Sequence, residues 1–157
     1  MRHRVIVGTI IAAAVLLAGN GNAAPVFQLD TPENGATVFG LVSVTGYVLD
    51  DGGDCGPPWA WQSCDWSDSA VTRVDLYVDD GFVATADLNQ PRYDVLQAYP
   101  WYTGTPYARP GFATSFDSSV LSDGAHTLFV RVAFADGTQE DFGERTVMVD
   151  NDLNQAP

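Results

Sequence analysis

The 157-residue sequence contains no lysine: its seven basic residues are all arginine, set against 20 acidic ones, for a net charge of −13. Without an ε-amine there is no Schiff-base chemistry, and no P-loop lysine to reach a nucleotide's phosphates. So acidic a surface repels phosphate backbones, which removes nucleic acid from the candidate partners. Cysteine and histidine are scarce too, with two of each, so zinc sites and nucleophile–base pairs have little to be built from. At 17% charged residues the chain is neither a coiled coil nor an acidic low-complexity tail. What it does have is 46% hydrophobic residues, enough for the core of one domain.

The one long apolar run, Val5 to Gly19, has 15 residues, short of the ~20 a spanning helix needs. Arg2, His3 and Arg4 precede it, and Gly21-Asn22-Ala23 follows with small residues at the −3 and −1 positions. Residues 1–23 therefore read as a secretory signal peptide cut after Ala23, with a cut after Ala24 the close alternative. No cysteine follows the run, so lipidation at a lipoprotein site is not supported. The mature chain keeps 5 Arg against 20 acids, net −15, and one histidine, His126.

Beyond the leader no stretch holds a 3.6-residue period. Short alternating segments divided by turn residues point to strands. They run over Val26 to Leu29, Val38 to Leu49, Val71 to Val78, Phe82 to Ala86, Phe112 to Phe116, His126 to Phe134 and Thr138 to Val149. Val42, Val44, Gly46 and Val48 share one face, as do Val74, Leu76 and Val78, and Leu128, Val130, Val132 and Phe134. Asp79-Asp80-Gly81, Ser122-Asp123-Gly124 and Ala135-Asp136-Gly137 read as turns, because Asp and Gly tolerate positive φ. Seven strands at this spacing predict an all-β fold, an immunoglobulin-like β-sandwich of about seven antiparallel strands with two long loops. The domain is expected over residues 25–151, with a C-terminal tail at 152–157.

The segments Pro32-Glu33-Asn34-Gly35-Ala36-Thr37-Val38, Val71 to Gly81, Leu121 to Leu128 and Val147-Met148-Val149-Asp150-Asn151 resemble bacterial immunoglobulin-like domains of secreted and cell-surface proteins. The resemblance covers most of the mature chain. It implies the sandwich and a non-enzymatic interaction or adhesion role, since such domains serve as adhesin segments, spacers and appendages to enzymes. Two departures stand out. The family usually occurs in multidomain chains, and Cys55 and Cys64 do not resemble the inter-sheet pair of antibody domains.

Those two cysteines lie nine positions apart in the connector after the second strand. In an exported chain they are expected to form a disulfide, contributing on the order of 2–3 kcal/mol in the chain-entropy account. The same connector, Asp50 to Ala70, holds Trp59, Trp61, Trp66 and five aspartates. Indoles beside carboxylates suit stacking on a sugar ring; they suit a protein contact equally, or can fold back over the sheet edge as a satellite core. Asp50-Asp51-Gly52-Gly53-Asp54 offers oxygens for calcium but lacks the EF-hand register, and Asp and Gly are also ordinary turn residues. No resident cofactor or metal is expected, with calcium the one candidate.

A second connector, Leu88 to Gly111, has 24 residues and no convincing strand. Its Pro91, Tyr93, Tyr99, Pro100, Trp101, Tyr102, Pro106, Tyr107 and Pro110 argue for an ordered cover. Gln90-Pro91-Arg92-Tyr93-Asp94-Val95 followed by Tyr99-Pro100 resembles a segment of the same bacterial domains. Arg92 is expected to clamp the loop by bonding Asp94 or backbone carbonyls. Trp101 and Tyr102 join the three indoles as candidate ligand contacts.

No catalytic residues are expected. A serine triad needs His126, which reads as a polar residue at a strand end, and abundant acids are not a glycosidase pair. The chain is thus read as a secreted or cell-surface, non-enzymatic interaction module for an extracellular protein or glycan. The alternative is a carbohydrate-binding module using the loop aromatics, with or without calcium.

Overall fold

The computed structural model describes residues 25–49, 71–100 and 109–154. The leader, Asp50 to Ala70 with its cysteines, indoles and calcium candidates, Trp101, Tyr102 and the end of the tail all lie outside them.

The described residues form two packed β-sheets. One has the order β1–β3–β7–β6, from Val26–Thr31, Leu41–Leu49, Gly111–Asp117 and Asp87–Gln90. The other has the order β2–β9–β8–β4–β5, from Thr37–Val38, Gln139–Val149, Gly124–Phe134, Val71–Val78 and Gly81–Thr85. Every pairing is antiparallel except β2 with β9. These are the A-B-E-D and G-F-C orders of an immunoglobulin sandwich, with C′ at one edge and β2 added at the other.

The strands form where the sequence alternates, and their apolar faces close on each other. Val42, Val44 and Val48 on β3 and Phe112 and Phe116 on β7 are buried against Val74, Leu76 and Val78 on β4 and Leu128, Val130 and Val132 on β8. Each such side chain contributes about 1.5–3 kcal/mol by leaving water.

The seven long strands are the expected ones; β2 and β6 bring the total to nine among the described residues. Gly40, at φ 62°, separates β2 from β3 and lets the chain cross from one sheet to the other. The second connector corrects the expectation of no strand. Asp87–Gln90 forms β6, and Tyr93–Ala98 forms a six-residue helix, α1. Neither announces itself by periodicity. β6 pairs with β7 only at Asp87 and Gln90, around Asn89 at φ 60°. Too short to stand alone, α1 rests on tertiary contact: its Val95 packs with Tyr47 and Leu49 on the outer face of β3, joined by Leu96 and Tyr99.

The β4–β5 turn also differs in detail. Val78 pairs with Gly81, so the two turn residues are Asp79 and Asp80, at φ 48° and 64°. Aspartate is among the few residues besides glycine that tolerate this region, and a two-residue turn of this hand matches the twist of the strands.

Candidate functional site

Period two decides what the five-stranded sheet shows to solvent. With Leu76 and Val78 facing the core, Tyr77 faces out; with Leu128 and Val130 inward, Phe129 and Arg131 face out. Tyr77 and Phe129 are cross-strand partners and stack with centroids 5.1 Å apart. Phe82, Tyr77's partner on β5, meets it edge-on at 5.9 Å. The Arg131 guanidinium lies 4.7 Å from the Tyr77 ring centre and 5.8 Å from that of Phe129.

Arg131 is fixed from β9. Its Nε and Nη2 donate to the two carboxylate oxygens of Asp141 at 2.6 and 2.8 Å. This fork lowers the Asp141 pKa and raises that of Arg131. On its other side Arg131 pairs in register with Asp75 of β4. Asp75 is only 4% exposed, and its oxygens accept from Arg73 Nε and Thr85 Oγ1, both at 2.7 Å. The result is an aromatic strip between neutralised ion pairs, open at Phe82 (59% exposed) and the adjacent Val83 (41%). Tyr77 and Phe129 each use a ring face on the other, so the strip is a ridge and not a flat platform for a sugar ring.

A second cluster sits on the opposite sheet. Arg92 Nε and Nη2 donate to the Asp94 oxygens at 2.9 and 2.7 Å, Nη1 donates to Asp30 of β1, and the guanidinium lies 5.0 Å above the Tyr47 ring. The fork pulls the Asp94 pKa down to about 2. The Tyr47 hydroxyl is raised, first by burial and then by Tyr99. The start of α1 is thus pinned to β1 and β3.

His126 is not simply a polar strand-end residue. Its ring is 9% exposed, Nδ1 lies 2.6 Å from Asp79 Oδ2, and Nε2 lies 2.8 Å from the Ser122 carbonyl oxygen. Asp79 also accepts from the Thr127 N–H at 2.9 Å. His126 is held above its ordinary pKa by the Asp79 and Ser122 contacts, and Asp79 below its own by His126 and Thr127.

The indoles and Trp101–Tyr102 lie outside the described residues, so no geometry joins them. The strand ends that lead into the two connectors do share one pole: Val26 pairs with Leu49, Val71 with Phe134, and Val48 N–H donates to the Pro110 carbonyl at 3.1 Å. The aromatic strip itself was not anticipated, although outward positions of the predicted strands carry it. Among the described residues no three His, Cys, Asp or Glu side chains are grouped to hold a metal, and no helix is long and apolar enough to cross a membrane.

No family model matches the chain, and no curated protein matches it. Solved structures similar to it include the following three. An endo-β-1,4-mannanase from Thermotoga petrophila is 14% identical at a TM-score of 0.49, over 82% of this chain and 20% of that one. The fibronectin(III)-like modules of Clostridium thermocellum CbhA are 14% identical at 0.48, over 85% of this chain and 50% of theirs. CopC from Methylosinus trichosporium OB3b is 12% identical at 0.39, over 80% and 94%. The chain thus spans a fifth of the mannanase chain and half of the CbhA chain.

Proposed function

We propose that the chain is an exported, non-enzymatic interaction module that meets a protein partner on the outer face of its five-stranded sheet. The observation that carries this is the Phe82–Tyr77–Phe129 ridge with Arg131 laid against it. Aromatics and arginine together are the residues that anchor protein contacts, and here two of the rings are already ordered against each other.

Charge narrows the partner. Arg131 and Arg73 are neutralised by Asp141 and Asp75, while Asp80 and Glu140 stand at the strand ends of a chain with net charge −13. The complementary surface has an apolar centre and a basic rim. A second copy of this chain would set acid against acid.

The test is capture from the native cell envelope by the chain and by its Phe82→Ser/Phe129→Ser variant. The reading expects a captured protein with a basic surface, weakened about tenfold or more in the variant and weakened by added salt. Equal capture by both proteins overturns it. A glycan-array signal that survives the substitutions and responds to a chelator favours the carbohydrate reading on the loop aromatics instead.

A further inference from the structure

Both nitrogens of the His126 ring face acceptors. The Ser122 carbonyl oxygen can only accept, so Nε2 carries a proton. An ionised Asp79 can only accept as well, taking the Thr127 N–H at Oδ1, so beside its Oδ2 Nδ1 carries one too. A neutral imidazole has one N–H and leaves a lone pair against one of these oxygens.

We propose that His126 is a proton-gated clamp: as an imidazolium it ties the β4–β5 turn to the corner between β7 and β8, and losing the proton releases one of the two. An immunoglobulin sandwich often fastens the corner before this strand with a tyrosine whose hydroxyl bonds back to the chain a few residues upstream. Here His126 reaches back four residues to Ser122 and, unlike a phenol in that role, has a second bond to the neighbouring hairpin.

The charged surroundings are simple. Asp79 faces the ring from the β4–β5 turn, with Asp80 next along the chain. From the corner comes the Ser122 carbonyl, followed by Asp123, whose Oδ1 accepts from Asn151 N–H at 2.8 Å. On β9 the cross-strand partner is Val147, which is uncharged, and Asp150 lies beyond the strand end. Among the described residues no cation but His126 itself pairs with Asp79, so removing its proton leaves Asp79 without a counter-charge there. The turn is the one that returns the chain from Tyr77 to Phe82, so the proton also tensions one side of the aromatic ridge. That last consequence rests on the interaction reading above; the proton's place on the ring does not.

The test is a pH titration of the full chain carrying 15N-labelled histidine. The clamp predicts that His126, distinguished from His3 by the His126→Gln variant, shows two N–H groups at pH 6 and a midpoint above 6.5. It also predicts that amide protection, corrected for intrinsic exchange, falls as pH rises through that midpoint on whichever side is released: at Leu121 in the corner, or at Asp79 and Thr127 where the turn meets β8. A single neutral tautomer at pH 6, a midpoint at or below 6.5, or protection that ignores the titration overturns it. These readouts use the wild-type chain and need no folded variant beyond assignment. Partner capture that fails at every pH sinks the interaction reading alone and leaves the clamp standing.

Discussion

Tyr77 and Phe129 lie face to face across the β4–β8 pair, their planes within 5° of parallel. The contact is on the outside of the sandwich, so it is set by strand register and not by core packing. Ring pairs of this kind contribute about 0.5–1.5 kcal/mol beyond the area they cover. A double-mutant cycle with Tyr77→Ala and Phe129→Ala, read by urea unfolding, is expected to give a coupling in that range. Additive single effects would show that the rings do not stack in solution.

Gly46 on β3 has no room for a side chain. A Cβ there would sit 2.6 Å from Phe112 Cζ and press on the Gln28 carbonyl oxygen. Neither neighbour can give way cheaply, since one is a fully buried ring and the other is backbone. Gly46→Ala is expected to cost about 1–3 kcal/mol by overpacking. Ser43→Ala, on the exposed side of the same strand, should stay within about 0.5 kcal/mol. Comparable urea midpoints for the two variants would contradict this account of the packing.

Val71–Val78 and Leu128–Phe134 could be read from sequence because alternation fixes face and strand together: Val74, Leu76, Val130 and Val132 are all fully buried, as the pattern requires. Asp87–Gln90 could not, because only two of its residues pair and Asn89 breaks the alternation. Helix α1 could not either, since its stability comes from Tyr47 and Leu49, some 45 residues earlier in the chain. The candidate site followed the same rule. The Arg92–Asp94 fork is a contact two residues apart and is local enough to suspect. Asp79 lies 47 residues from His126 and Thr85 lies 10 from Asp75, and only the assembled hairpins reveal those two contacts.

The Arg92–Asp94 pair has a signature in acid. The fork holds the Asp94 carboxyl at about 2, below its ordinary 3.8. A carboxylate lowered in the folded state contributes stability above the unfolded value, and the contribution goes as pH falls through the folded value. Arg92→Ala is therefore expected to move the Asp94 titration midpoint, followed by carboxyl NMR, from about 2 up to near 3.8. The same substitution removes the donor to Asp30 and the cation over Tyr47, so the β1–α1 contact should loosen. A midpoint near 2 in the variant would mean that something other than Arg92 stabilises the carboxylate.

Asp79→Asn separates charge from shape at the other end of the sandwich, because the amide oxygen can still accept from the Thr127 N–H. Two limbs determine its pH profile. Asp79 is lowered in the fold, so its contribution is complete above 3.8 and is lost as pH falls through the lowered value. His126 is raised, so its contribution is complete below 6.5 and is lost as pH rises through the raised value. The two overlap from mildly acidic to near-neutral pH, where carboxylate and imidazolium coexist. Thermal midpoints measured from pH 2 to 9 should therefore separate wild type from Asp79→Asn most widely between about pH 4 and 6.5. The gap should narrow on the acid side as Asp79 protonates and on the basic side as His126 deprotonates. A gap of constant width across that range would show that the substitution acts through packing alone and that the ion pair contributes nothing to the fold.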